Sequence, residues 1–266
     1  MFRTPAPPSR NVPELPAAPS FRLDGKRALV TGAGRGIGLA AAAALAEYGA
    51  TVILAARSTE EIEAGASAIR QRGFKAEAMS LDVTDLAAVE ARIAHAAPFD
   101  ILVNNAGCNR PQRFVDASPE DFDAVIGLNV RAAYFVAQAA ARNMIAAHRK
   151  GSIIHMSSQM GHVGGHNRTL YCASKWALEG LNKAMALDLA PHGIRSNAVA
   201  PTFIQTEMTA PFIADAVFRA SILNKIKLGR LGRVEDVTGA IVFLASEASV
   251  LMTGSSIVVD GGWTAD

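Results

Sequence analysis

Tyr171 and Lys175 stand four residues apart in the run Tyr171-Cys172-Ala173-Ser174-Lys175, and Ser158 lies thirteen positions upstream in a Gly/Ser-rich stretch. A phenol and an ammonium at this spacing share one helix face, the arrangement that can make tyrosine a working acid near neutral pH. A free tyrosine, with a pKa near 10, is too weak an acid for that by roughly three units, each about 1.4 kcal/mol. A neighbouring cation narrows the gap by favouring the phenolate. The spacing alone carries little weight, because Tyr-x-x-x-Lys arises by chance in many helices.

A second, independent pattern sits far upstream. Thr31-Gly32-Ala33-Gly34-Arg35-Gly36-Ile37-Gly38 follows the apolar run Ala28-Leu29-Val30 and opens an alanine-rich helical pattern through Tyr48. Glycines at 32, 36 and 38 permit a tight strand-to-helix turn, close approach of a pyrophosphate, and close packing of helix on strand. The helix would then offer free N–H groups to phosphates. The spacing is Gly-x-x-x-Gly-x-Gly, with Ile37 where the Gly-x-Gly-x-x-Gly fingerprint has its last glycine. Taken by itself the loop is also compatible with a glycine-rich turn that holds no ligand.

Together these residues resemble the short-chain dehydrogenase/reductase family, from about Leu23 to Trp263. Thr31 to Gly38 is similar to its cofactor loop, Asp82-Val83 to its adenine contact, and Asn104-Asn105-Ala106-Gly107 to its motif after the fourth strand. Asn129, Ser158, Tyr171 and Lys175 match its catalytic tetrad. The resemblance implies an NAD(P)-dependent oxidoreductase that moves a hydride between the nicotinamide and a carbonyl or secondary alcohol. Tyr171 would be the acid/base, Ser158 the hydrogen-bond donor to the substrate oxygen, and Lys175 a support of Tyr171 that also binds the nicotinamide ribose. Asn129 would hold a relay water, against the plainer reading of a buried Asn satisfying helix backbone. Cofactor contacts are expected at Gly32, Arg35, Gly36, Ile37, Gly38, Arg57, Asp82, Val83, Asn105, Ala106, Gly107, Tyr171, Lys175, Pro201, Ile204 and Thr206.

The remaining pattern must position these groups. Apolar runs at 27–31, 51–56, 76–81, 100–104, 151–157, 194–199 and 255–259 read as strands. Segments 36–48, 60–72, 85–96, 119–148, 170–190, 207–224 and 234–246 read as helices. Gly49, Gly73, Gly151, Gly193 and Gly254 mark helix-to-strand joints where a left-handed turn is wanted. Strands alternating with helices predict a single α/β domain over 21–266: a Rossmann-like doubly wound parallel sheet in a three-layer α/β/α sandwich. The glycine loop, Asp82, Asn104 to Gly107, Ser158 and Pro201 all follow strand ends, so they fall along one edge. Residues 1–20 hold six of the twelve prolines and read as a mobile or surface-draped arm.

Composition narrows the class. The 266 residues carry a formal charge of +2 and are 50% hydrophobic, which gives no electrostatic footprint for nucleic acid. The apolar stretches break before the roughly 20 residues of a membrane helix, and no His, Cys and carboxylate group has metal-ligand spacing. A soluble, cytoplasmic protein without membrane partner or metal is expected. Its only cysteines, Cys108 and Cys172, form no disulfide framework and read as small buried thiols. The family commonly forms tetramers, and the apolar residues of 119–148 and 170–190 and the tail from Ile257 are compatible with a homotetramer.

Cofactor choice is read at the end of the second strand, where a carboxylate would bind the ribose 2′-hydroxyl of NAD. Here Ala56 is followed by Arg57, and with Arg35 it offers two charged donors to a 2′-phosphate. NADP is therefore expected, with NAD still open, as is a bland role for either arginine. After the sixth strand Pro201-Thr202 replaces the family's usual Pro-Gly, so Thr202 should crowd or polarise the wall beside the nicotinamide. Residues 207–226, with Pro211, Phe212, Ile213 and Phe218, read as a substrate cover. Polar loops at 109–113 and 159–168 suggest a small polar substrate, such as a sugar derivative or oxo-acid. His155 reads as a packed histidine. The alternative enzyme is a 3-oxoacyl carrier-protein reductase, for which Arg131, Arg142, Arg149 and Lys150 could form the basic patch. A cofactor-sensing regulator without turnover would have lost Tyr171 or Lys175, and both are present.

Overall fold

The computed structural model describes residues 15–265, so most of the proline-rich arm lies outside the described residues. Seven strands form one sheet: β1 (Arg27–Thr31), β2 (Thr51–Ala56), β3 (Ala76–Ser80), β4 (Ile101–Asn104), β5 (Gly151–Met156), β6 (Ile194–Pro201) and β7 (Ser256–Val259). They run in the order β3-β2-β1-β4-β5-β6-β7, and every pairing is parallel. Parallel strands need crossovers, so helices cover both faces and the central strands are apolar without interruption, as in Val52-Ile53-Leu54-Ala55. One face buries Val30, Leu54, Val103 and Ile154 with α1 (Gly36–Glu47), α2 (Thr59–Gln71) and α9 (Glu235–Ala245). The other buries Leu29, Ile53, Leu102 and Ile153 against α3 (Leu86–Val89) and α5 (Ala133–Ala146). Each such leucine stabilises the fold by roughly 1.5–3 kcal/mol through burial. This is the three-layer, doubly wound arrangement that the alternating pattern predicts.

Local signals set the helix starts. Ser58 caps α2 by accepting from Glu61 N at 3.2 Å, with Glu60 and Glu61 in the first turn. Ser118 and Asp121 form a reciprocal capping box on α4 (Pro119–Ile126), with Pro119 at its first position.

Three expected helices differ in detail. The segment 119–148 is α4 and α5 joined by a wider π turn at Gly127–Ala132, and 85–96 likewise passes from α3 into a π turn at Glu90–Ala94. The continuous helical run Pro119–Ala146 is long and apolar enough to match a membrane span, contrary to the reading of broken apolar stretches. Half of its most apolar 18-residue window is buried within the protein, and Val136, Ala140 and Met144 fill the core. The segment 207–224 splits into α7 (Ala210–Ile213) and α8 (Ala216–Lys225) because Asp215 caps α8 through Val217 N and Phe218 N. At the joint before β5 the left-handed residue is His148 (φ 53), not Gly151. Gly151 is instead the first β5 residue, where a Cβ would press on Met144 Sδ.

The strand order reverses between β1 and β4. Loops leaving their carboxyl ends part in opposite directions, and the crevice between them is where such sheets bind ligands.

Candidate active site

A cavity of about 750 Å³ opens along this edge. Of the residues that the sequence assigns to cofactor or catalysis, all line it except Asn129.

One wall is backbone. Gly32 (φ 62) turns the chain out of β1, and Gly36 (φ 55) starts α1. A Cβ on Gly38 would collide with the Gly32 carbonyl and Asn105 Nδ2, so only glycine lets helix and loop approach this closely. Asn105 locks the loop to β4: its Nδ2 donates to Thr31 O (2.9 Å) and Gly32 O (3.2 Å). Thr31 Oγ1 in turn accepts from Asn105 N (3.0 Å) and Ala106 N (3.2 Å). The α1 N-terminus has no side-chain cap and no acidic residue in its first turn. Its N–H groups and dipole are thus free for an anion, and the residues present fit a dinucleotide pyrophosphate.

Farther along this wall, Asp82 Oδ1 accepts from Thr84 N (2.9 Å) and Thr84 Oγ1 (2.7 Å). Those bonds, the backbone one first, hold its carboxyl below the usual range. Ala56 and Arg57 sit at the end of β2. Arg35 donates to Glu61 Oε1 at 3.0 Å, and Gly34 leaves room for that carboxylate. The sequence reading missed Glu61, because only the fold brings the first turn of α2 over the glycine loop.

The inner wall is made of side chains. Ser158 follows β5, while Tyr171 and Lys175 lie one turn apart on α6 (Thr169–Leu189). Burial pushes the Tyr171 phenol up to about 12, and a hydrogen bond with Ser158 and the positive charge of Arg168 act in the opposite sense. Lys175 is buried, and its Nζ donates to Met156 O at 2.7 Å while lying 5.4 Å from the Tyr171 ring centroid. Desolvation brings Lys175 down to about 8, which still leaves it mainly cationic at neutral pH. The cation acting on the phenol thus includes Arg168, which the sequence reading placed only in a polar loop.

Asn129 sits in the π turn between α4 and α5, a distortion common at functional sites. Its Oδ1 accepts from Cys108 N (2.8 Å), and its Nδ2 donates to Cys108 O (2.9 Å) and Ser174 Oγ (3.0 Å). The amide therefore fastens the loop after β4 to α6, behind the cavity wall. His155, fully buried on β5, has no partner for either ring nitrogen among the described residues, and burial pushes it down to about 4. It is the packed, neutral histidine that the sequence suggests. Burial raises the Cys108 and Cys172 thiols, as suits inert side chains.

Beyond β6 the chain closes the cavity. Pro201, Ile204 and Thr206 line it, and Thr209 Oγ1 fastens the turn by donating to Ile204 O. Thr202 keeps the strand path, with its N–H donating to Val259 O at 3.1 Å. Its Oγ1 is buried with no hydrogen-bond partner among the described residues, so Thr202 adds a polar atom within this wall and does not distort it. Phe203, Phe218, Ile222, Ile226 and Trp263 form a small separate core under the covering segment.

The family model described as "Enoyl-(Acyl carrier protein) reductase" matches residues 32–264. Gluconate 5-dehydrogenase of Gluconobacter oxydans (strain 621H) is 42% identical over 248 residues, 92% of this chain and 96% of the relative. D-erythrulose reductase of Gallus gallus is 41% identical over 246 residues, 92% and 98% of the two chains. The crystal structure of a gluconate 5-dehydrogenase from Burkholderia cenocepacia J2315, in complex with NADP and tartrate, superposes with a TM-score of 0.89. The two chains are 40% identical, with 92% of this chain and 98% of that chain covered. The chain belongs to the short-chain dehydrogenase/reductase family and is an NAD(P)-dependent oxidoreductase acting on CH–OH and C=O groups.

Proposed function

We propose that the protein interconverts a ketone and a secondary alcohol on a small polyhydroxylated compound, using NADP in preference to NAD. The observation that carries this reading is the convergence of Ser158, Tyr171 and Lys175 on the inner wall of the cavity whose opposite wall is the glycine loop. NADP, when bound, supplies or accepts the hydride. Ser158 donates a hydrogen bond to the substrate oxygen where negative charge develops, and Tyr171 gives that oxygen its proton, or takes it in the reverse direction. Lys175 offsets the cost of the buried phenolate and holds the ribose, and Asn129 supports both by fixing α6 to the loop after β4.

Gly32, Gly36, Ile37 and Gly38 would cradle the pyrophosphate; Asp82, Val83 and Asn105 to Gly107 flank the adenosine half, and Pro201, Ile204 and Thr206 the carboxamide. Arg57 and Arg35 favour NADP, and the B. cenocepacia relative was solved with it. The similar proteins are named for gluconate and erythrulose, which are both polyhydroxylated. The carrier-protein alternative loses support at its basic patch. Arg142 pairs with Glu90 (3.6 Å), Arg149 pairs with Asp100 (3.2 Å), and Arg131 lies over the Phe135 ring.

The reading extends to a cytoplasmic homotetramer of one domain, 21–266, with residues 1–20 as an appended arm. Tyr134 on α5 and Trp176 and Leu187 on α6 are exposed and available to such an interface. The test is turnover of 5-keto-D-gluconate, D-erythrulose and a 3-oxoacyl thioester with NADPH and NADH, and of gluconate with NADP⁺ and NAD⁺. Turnover of the polyhydroxy compounds with NADPH or NADP⁺, in preference to NADH or NAD⁺, is expected. Turnover confined to the thioester, or to NADH, would contradict the assignment.

A further inference from the structure

Arg168 stands at the N-terminus of α6, one turn before Tyr171, and only 6% of it is exposed. Buried arginines are ordinarily matched by a carboxylate, since an unpaired buried charge is strongly destabilising. Arg168 has none among the described residues. A guanidinium carries five N–H donors, and its one hydrogen bond here runs from Nη1 to Asn167 O at 3.2 Å. Desolvation accordingly lowers its pKa, and the groups that raise it are Tyr171 and Cys172. Arg168 precedes Tyr171 by three residues, so the two side chains leave the first turn of α6 on the same side, and its charge acts on the phenol.

The surroundings hold the charge in place without neutralising it. The Phe212 ring lies 5.1 Å and the Phe218 ring 5.9 Å from the guanidinium carbon, both from the covering segment. Such faces favour a cation but accept no conventional hydrogen bond from its N–H donors. On the other side, Gln112 N of the loop after β4 donates to Asn167 O, the carbonyl that Arg168 also uses. In that loop the Asn109 Oδ1 is buried with no hydrogen-bond partner among the described residues.

We propose that Arg168 is the anion-recognition residue of the substrate site, taking the carboxylate of a polyhydroxy acid while Ser158 and Tyr171 engage its carbonyl or alcohol carbon. This rests on the hydride-transfer reading above and narrows it: the preferred substrate is a sugar acid and its keto acid, and a neutral ketose is the poorer one. Carboxylate and guanidinium match as two parallel hydrogen bonds, which lysine cannot reproduce.

The experiment compares wild type, Arg168→Gln and Arg168→Lys, with 5-keto-D-gluconate and D-erythrulose as substrates and NADPH at saturation. In wild type kcat/KM should favour the keto acid. Arg168→Gln should raise KM for the keto acid about 100-fold and leave KM for erythrulose within about threefold, while any change in kcat through the Tyr171 phenol falls on both substrates alike. Arg168→Lys should recover part of the loss, and NADPH affinity and Tm should stay as in wild type. An equal change in KM for both substrates, or no preference in wild type, would overturn the proposal and leave the hydride-transfer reading intact.

Calorimetric titration of the NADPH-loaded proteins with tartrate and with gluconate decides the point without turnover, since neither hydroxy acid offers a ketone to reduce. Binding to wild type that is lost in Arg168→Gln supports the assignment even if no compound is turned over, which would sink the reading of the reaction instead. Equal binding to both proteins, or none to wild type, overturns it.

Discussion

The two walls of the cavity are built by different means. The wall assigned to the cofactor is main chain: glycines at 32 and 38 that tolerate no Cβ, an uncapped helix start, and an Asn105–Thr31 lock between two strand ends. The wall assigned to the chemistry is side chain, with Tyr171 and Lys175 on α6 and, at its N-cap, Arg168 against the Phe212 and Phe218 rings. A ligand shared by many enzymes can be held by backbone geometry, whereas a substrate must be told from its analogues by side chains. The first wall should therefore respond to changes in shape, and the second to changes in charge and proton affinity.

Breaking the first wall is the sharpest way to probe that contrast. Gly38→Ala places a methyl against the Gly32 carbonyl and Asn105 Nδ2, and overpacking of this kind should weaken NADPH binding by about 10- to 100-fold. Fluorescence titration checks it; unchanged affinity would show that the loop yields and that its shape does not matter.

A smaller effect is expected where charge enters the cofactor wall. Arg57→Glu should weaken NADPH by about tenfold or more and leave NADH nearly unchanged, since only the former carries the 2′-phosphate. Equal losses would remove Arg57 from the discrimination. Arg35 contributes less in this account because Glu61 already occupies it, in an exposed pair.

How much of this was legible in the chain follows from the same contrast. Gly32, Gly36 and Gly38 announce themselves because backbone conformation restricts the residue type, and strand-end placement gathers Asp82, Asn105 and Pro201 without any knowledge of contacts. The alternation of apolar runs with helical periods gave the layers, and strand ends fell within one or two residues of expectation. The π turn holding Asn129 was not legible, because its i to i+5 bonding leaves no periodicity distinct from an α-helix over six residues. Nor was the break at Asp215, a cap that competes with an otherwise continuous helical pattern. Arg168 and Glu61 escaped for a third reason. Their meaning lies in what the fold puts beside them: aromatic rings some 44 and 50 positions away for Arg168, and the glycine loop for Glu61. The Thr202 substitution was visible, but whether it would bend the wall or polarise it depended on its bond to Val259.

The central claim is that Tyr171 performs the proton transfer while its phenolic oxygen adds little to cofactor binding. Its most direct test is Tyr171→Phe, with steady-state turnover and NADPH affinity measured on the same preparation. Loss of a positioned acid should lower kcat by about 10³-fold or more, with NADPH affinity within about threefold of wild type. Turnover retained near the wild-type rate would contradict the assignment of the acid.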